Sequence, residues 1–341
     1  MKTENFDIPI VLFFFKRVEK TVQIVDQISK VKPKRLYLIS DGPRNDEEAK
    51  LVHNCRKEVE AHVTWQCEII RNYAETNKGV YDRIARGALW VFTKEDTAIF
   101  LEDDNLPELT FFPFCEEMLK MYKDDTRVLW ICGTNYLKQY EPIDGSSYVF
   151  TKHMLPCGWA SWNHKFTRFY DGELNLLKEK DINQKVKYSY NDLRLFEQDK
   201  RCWDSEIRRK SKGLEPISWD HQMSFSIRAN GLLGIVPKYN QIRNIGVDQF
   251  STHGGTSLSF VMTKRFCELE TKQLPFPLVH PKVALCDPDF EKKTGDIILL
   301  PFKNRLQIKI SSLLKRLLKL DPDFSFSSKF KSIISRPLKR I

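Results

Sequence analysis

Residues 8–15 (Ile-Pro-Ile-Val-Leu-Phe-Phe-Phe), 36–39 (Leu-Tyr-Leu-Ile) and 98–101 (Ala-Ile-Phe-Leu) are short apolar runs without polar alternation. A strand that is apolar at every position must be covered on both faces, and a parallel sheet between two helical layers does this. The intervening segments carry helical spacing: Val22, Val25 and Ile28 within 18–29, then 46–61 and 79–92. With strands at 35–40, 65–70, 97–101 and 127–132, and a further helix at 107–122 beginning on Pro107, strand and helix take turns through residue 132. The expected class is therefore α/β, a mostly parallel sheet covered by helices. The run 8–15 is too short to span a bilayer, which takes about 20 residues, and reads as a buried strand.

In such sheets ligands sit beyond the carboxyl ends of the strands. Three polar clusters fall there: Lys16-Arg17, Asp41-Gly42 and Glu102-Asp103-Asp104. Three adjacent acids after a buried strand repel one another and cost desolvation, so an ordered version of the cluster favours a cation. A divalent one, Mg²⁺ or Mn²⁺ carrying phosphate, suits carboxylate oxygens best. A solvated acidic turn opening the next helix is the alternative, since Asp and Asn before Pro are ordinary helix-start residues. No Gly-rich phosphate loop follows the first strand, which argues against a P-loop or a dinucleotide fingerprint. Phosphate must be held otherwise, by metal on the triplet with Arg17 or a later Lys or Arg.

From about residue 136 the segments become longer, more irregular and richer in aromatics. Residues 154–162 form a Pro/Gly loop bracketed by Trp159 and Trp162, either a flat apolar surface for a sugar ring or a turn packed onto the sheet. Ser218-Trp219-Asp220-His221 opens a helix that runs through Ala229. Asp220 in its first turn is a candidate general base, or a residue that favours the positive helix end. Trp203-Asp204-Ser205-Glu206 competes for the same role. His253 lies in a Gly-rich stretch beside Ser251 and Thr252, a setting compatible with a ligand role.

Charge is unevenly placed. Of a net +10, residues 301–341 hold +9, from 11 Lys/Arg against 2 Asp. A near-neutral body argues against nucleic-acid binding. Within 305–320, Leu306, Ile310, Leu313, Leu314, Leu317 and Leu320 share one stripe opposite Lys309, Lys315, Arg316 and Lys319. Phe324, Phe326 and Phe330 follow, then Lys331, Arg336, Lys339 and Arg340. Basic amphipathic helices of this kind lie in the surface of anionic membranes. The eight cysteines form no CxxC pair and no secretory leader is recognisable, so they read as reduced thiols of a cytoplasmic protein associated peripherally with the membrane's inner face.

Over residues 7–256 the ordered set Leu101-Glu102-Asp103-Asp104, Pro156-Cys157-Gly158-Trp159, Trp219-Asp220 and 244–253 resembles the GT-A-fold glycosyltransferases, which use nucleotide-diphosphate sugars. It is similar to the animal N-acetylglucosaminyltransferase that initiates complex N-glycans, and closer to bacterial transferases of surface-polysaccharide clusters. The resemblance implies a GT-A (Rossmann-like) fold with a nucleotide-sugar half at 1–135 and an acceptor and catalytic half at 136–265; a wrap-around linker at 266–300 and the basic tail at 301–341 lie outside it. It implies Asp104 as ligand of Mn²⁺ or Mg²⁺, Asp103 near the ribose, Glu102 near the donor sugar, and Arg17 and Asp41 at the nucleotide. Asp220 falls at the position of the base of inverting members, and His253 at that of a residue approaching the diphosphate or metal. The donor would be a UDP-sugar and the acceptor a saccharide or lipid-linked saccharide. His221 after Asp220 and the long insertion between Trp162 and Trp219 depart from the animal enzyme. Two rivals are a sugar-phosphate nucleotidyltransferase, which should have glycine after the first strand where Phe13-Phe14-Phe15-Lys16-Arg17 has none, and a non-catalytic membrane-bound adaptor or sugar-binding module.

Overall fold

The computed structural model describes residues 6–249 and 255–324. The chain divides into two compact units, Met1–Ile298 and Leu299–Ile341. In the first unit β1 (Ile10–Phe14), α1 (Val18–Val31), β2 (Arg35–Ser40), α2 (Asp46–Ala61) and β3 (Glu68–Tyr73) alternate as expected. A helical stretch follows as α3 (Gly79–Tyr81), a π-helical turn at Asp82–Arg86 and α4 (Gly87–Phe92). Next come β4 (Thr97–Glu102), β5 (Asn105–Pro107), α5 (Phe111–Met121), β6 (Val128–Cys132), β7 (Tyr148–Thr151) and β8 (Trp159–Trp162). The insertion holds α6 (Asn163–Phe169), α7 (Lys180–Tyr188) and α8 (Leu193–Ser211). After it come α9 (Asp220–Ala229), β9 (Leu233–Pro237), β10 (Ile242–Asn244), α10 (Val261–Phe266) and α11 (Pro288–Ile298).

Eight strands form one sheet in the order β3-β2-β1-β4-β8-β6-β9-β7, so both sequence halves share it. The first four are mutually parallel. β8 enters antiparallel between β4 and β6, β6 and β9 are parallel, and β7 closes the far edge antiparallel. Alternation along β1 explains the two layers. Ile10, Leu12 and Phe14 pack on the side of α1, α2 and α5, with Ile24, Val25, Val59 and Phe112. Val11 and Phe13 pack on the opposite side with Ile84, Ala88, Val91, Met223 and Ile227. The protein is thus α/β, with a mostly parallel sheet covered by helices on both faces.

Two local expectations shift. β3 begins at Glu68, three residues after the expected start, because the Trp65 indole N–H is bonded to the Pro33 carbonyl outside the strand (3.1 Å) and Glu68 is the residue that registers with Arg35. Pro107 does not start a helix. It pairs with Ile242 in a two-stranded antiparallel ribbon, β5 with β10, and α5 starts at Phe111.

The second unit contains α12 (Phe302–Leu317). Leu306, Ile310, Leu313, Leu314 and Leu317 are exposed along it. Phe326, Phe330 and the basic residues from Lys331 onward lie outside the described residues. Among the described residues no helix is long and apolar enough to cross a membrane, and no disulfide forms.

Candidate active site

The carboxyl ends of β1, β2 and β4 open into a pocket of about 940 Å³. Its floor is acidic. Glu102 ends β4, and Asp103 and Asp104 follow in the turn before β5. Arg17, one turn past β1, donates from Nη1 to Asp103 Oδ1 and to Asp104 Oδ2, both at 3.1 Å. Its Nε lies 3.5 Å from Asp248 Oδ2, which also pairs with Lys20. The Phe15 N–H donates to Asp103 Oδ2 (3.2 Å). One guanidinium therefore faces three carboxylates, with Glu102 close behind.

Burial, chiefly, and mutual repulsion among the three acids push Glu102 well above the ordinary carboxylate range. Burial pushes Asp103 up to about 6 although Arg17 opposes it, and it raises Asp104 as well. A carboxyl with a higher value folded than unfolded holds its proton more firmly in the fold. Its contribution to stability is present below about pH 4 and is lost as pH rises through the folded value. For Asp103 that loss is complete above about 6. A divalent cation relieves the ionised cluster but competes with protons, so added Mn²⁺ is expected to raise the melting temperature more at about pH 7.5 than at about pH 5. Thermal melts with Mn²⁺ and with EDTA at both pH values check this; equal shifts would count against a metal on the triplet.

Asp104 is held by its neighbour Asn105 and by partners far away in sequence. Asn105 Nδ2 donates to its Oδ1 (2.7 Å), and Asn244 Nδ2 approaches the same oxygen (3.5 Å). Asn105 is buried and accepts the Gly158 N–H through its own Oδ1 (2.8 Å). The Asp104 carbonyl takes the Ile245 N–H (2.8 Å). The next residue must be small: a Cβ on Gly246 would lie 2.3 Å from Asp104 Oδ2. Among the described residues no three His, Cys, Asp or Glu side chains converge as a closed metal cage. Mg²⁺ and Mn²⁺ do not need one, since one or two carboxylates plus substrate phosphates and water suffice. Asp104, oriented on both oxygens beside an excess of buried negative charge, fits that mode of binding. Gly246→Ala is expected to weaken Mn²⁺ binding about 10- to 100-fold while the fold persists, because it displaces a supported ligand. Calorimetry with nucleoside diphosphate present measures this, and unchanged affinity would contradict it.

Asp41 lines the pocket, but its carboxylate is saturated within the protein. Oδ1 accepts the Gly42 and Lys78 N–H groups, each at 2.8 Å, and Oδ2 accepts Asn77 Nδ2 (2.9 Å) and the Gly79 N–H (3.0 Å). It fixes the 76–79 turn, where Gly42 passes so close that a Cβ would lie 2.5 Å from Thr76 backbone. Lys78 and Arg83 then reach the pocket. Arg83 donates to Asn72, while its Nε is buried without a partner among the described residues. Sequence reasoning passed over both cations. The Asn77-Lys78-Gly79 turn ahead of a helix was the available signal.

Asp220 stands at the first position of α9 on the pocket wall, its Oδ1 accepting from the Ser218 hydroxyl. The structure brings it to the same pocket as Glu102, Asp103, Asp104 and Arg17. The rival cluster is elsewhere: Trp203 is fully buried, Glu206 is 3% exposed and Asp204 pairs with Lys200. Trp159 requires a correction. It is 1% exposed, with ring centroids 3.8 Å from Phe100 and 4.3 Å from Trp130, and it stacks on Trp219. Its faces are occupied by core aromatics and offer no platform to a sugar. Cys157 of the same loop does reach the pocket, as a thiol whose value burial raises well above normal. His253 lies outside the described residues.

No protein-family model matches the chain. No curated protein matches it. Several solved structures do. A mannosyltransferase from Pyrobaculum calidifontis, in complex with GDP-Man and Mn²⁺, is 12% identical over 49% of this chain, with TM-score 0.34. The chain spans 47% of that protein's length. A 4-diphosphocytidyl-2C-methyl-D-erythritol synthase from Anaerococcus prevotii is 11% identical over 50% of this chain and 78% of its own, with TM-score 0.33. A UDP-glucose pyrophosphorylase complexed with UDP-glucose is 9% identical over 70% and 93%, with TM-score 0.34. Likeness at this level assigns no activity to the present chain.

Proposed function

We propose that the chain is a metal-dependent inverting glycosyltransferase, moving a sugar from a nucleotide-diphosphate donor, a UDP-sugar, to a hydroxyl of a saccharide or lipid-linked saccharide. The observation that carries this reading is the placing of a separate carboxylate, Asp220 on α9, in one pocket with the acidic triplet and its cations. Arg17, Lys16 and Lys78 line the strand-end side, where the donor's phosphates would be met by charge-assisted hydrogen bonds. A divalent cation on Asp104 would neutralise charge developing on the departing nucleoside diphosphate. Asp220 accepts the proton of the acceptor hydroxyl as that oxygen attacks the anomeric carbon opposite the leaving group, which inverts the centre. The test is calorimetry and slow hydrolysis with a panel of nucleotide sugars, with Mn²⁺ and with EDTA. Metal-dependent preference for one donor supports the reading. No binding to any donor turns it towards the adaptor.

The basic helix fits an anionic membrane surface, which would bring a lipid-linked acceptor to the enzyme. Lys303, Arg305, Lys309, Lys315 and Arg316 fall within α12, which contains no acid. Each cation near such a surface contributes about 1 kcal/mol. The protein is expected to sediment with vesicles containing phosphatidylglycerol but not with pure phosphatidylcholine. Leu313→Glu together with Leu317→Glu should release it; equal behaviour on both vesicles would refute the membrane role.

A further inference from the structure

The proposed mechanism leaves one pair unused, His221 on the pocket wall and the buried Glu206 behind it. Glu206 of α8 is 3% exposed, and its Oε2 accepts the Ile217 N–H (3.2 Å). A buried carboxylate needs a cationic neighbour. Among the described residues Glu206 faces no Lys or Arg; its ion-pair contact is His221, with Nδ1 3.9 Å from Oε1. That nitrogen is buried and lacks a hydrogen-bond partner, while the side chain as a whole is 36% exposed and lines the pocket. The imidazole thus has Nδ1 buried towards Glu206 and exposed surface elsewhere on a side chain that lines the pocket. The Trp203 indole N–H binds the His221 carbonyl (3.0 Å) and ties α9 to α8 beside the pair.

A second cation shares this wall. Arg209, also on α8, lines the pocket with Nε and Nη2 held on the Glu215 carbonyl at 3.1 and 3.0 Å. Its Nη1 has no partner among the described residues. Both cations come from the α8–α9 region, whereas Lys16, Arg17 and Lys78 come from the strand ends. A donor diphosphate served by the strand-end group leaves the α8–α9 pair for a different anion.

We propose that His221 and Arg209 form an anion subsite on the acceptor side of the pocket, taking a phosphate or carboxylate carried by the acceptor itself. Glu206 acts as the positioning residue behind His221. Burial lowers the imidazole's affinity for a proton, but a contact with Cys202 and the nearby Glu206 and Asp220 carboxylates outweigh it and hold His221 well above its ordinary range. The acceptor class is thereby narrowed from any saccharide hydroxyl to one on an acidic or phosphate-linked molecule. The assignment of side rests on the transferase reading, but the presence of the subsite can be decided without it.

The full chain, saturated with UDP and Mn²⁺, is titrated calorimetrically with inorganic phosphate, glucuronate and glucose. One anion is expected to bind and glucose is not, and selectivity between phosphate and carboxylate names the source. His221→Gln and, separately, Arg209→Gln should each weaken that binding about tenfold or more, the loss of one charge-assisted hydrogen bond, with UDP affinity retained. Nitrogen NMR of His221 should show an imidazolium at neutral pH in the wild type, and a ring that loses its proton at lower pH in Glu206→Gln than in the wild type. Binding that survives both pocket variants, no anion binding at all, or a neutral wild-type imidazole would overturn the proposal. If UDP fails to bind the wild type, the transferase reading falls separately, and the anion titrations are then run without nucleotide.

Discussion

Alanine at position 104 is expected to abolish metal-dependent nucleotide-sugar binding. Changing the partners of a metal ligand commonly costs about 10- to 100-fold, so losing the ligand should exceed about 100-fold. Asp104 is the triplet member whose two oxygens are separately oriented, Oδ1 by Asn105 and Asn244 and Oδ2 by Arg17. The same substitution removes one of three crowded acids whose values burial raises, so the metal-free variant should melt no lower than the wild type near neutral pH. Loss of function without loss of stability separates a binding site from a structural turn. Calorimetry with Mn²⁺ and thermal melts supply both halves, and a variant that binds donor as well as the wild type would remove the triplet from the chemistry.

The second large effect is expected at Asp220. Asp220→Asn keeps the shape and the Ser218 contact but cannot accept a proton at the reacting oxygen, so transfer should slow by about two to four decades. Nucleotide affinity should stay within about twofold, because such an interaction acts only in the transition state. If Asp220 did no more than favour the positive end of α9, the change would cost about 0.3–1 kcal/mol of stability and leave the rate alone. Single-turnover kinetics alongside donor binding distinguishes these outcomes.

The sheet was readable because β1, β2, β4 and β6 are buried along almost their whole length and leave unbroken apolar runs. β3 was placed early because it is a half-exposed edge strand that includes Glu68, Arg71 and Asn72, without such a run. β5 and β10 have three residues each and carry no period at all. The acids at the end of β4 and at the start of α9 stood out because charge follows immediately on apolar sequence. Trp159 misled because residue type does not tell which ring faces the core. The support of Asp104 by Asn244 and the contact of Glu206 with His221 are products of tertiary packing, invisible to local pattern.

The short ribbon of β5 with β10 sets a folding requirement. Asn244 and Asp104 are 140 positions apart, so the loop between them must close before the carboxylate is fully oriented. Closing so long a loop carries an entropic cost, and topologies rich in such distant contacts fold slowly. During synthesis the acidic turn would emerge long before its partner strand. Binding competence is thus a checkpoint on completion of the domain: a chain arrested before residue 242 could pair β1, β2 and β4 and still lack the arrangement that makes Asp104 a ligand.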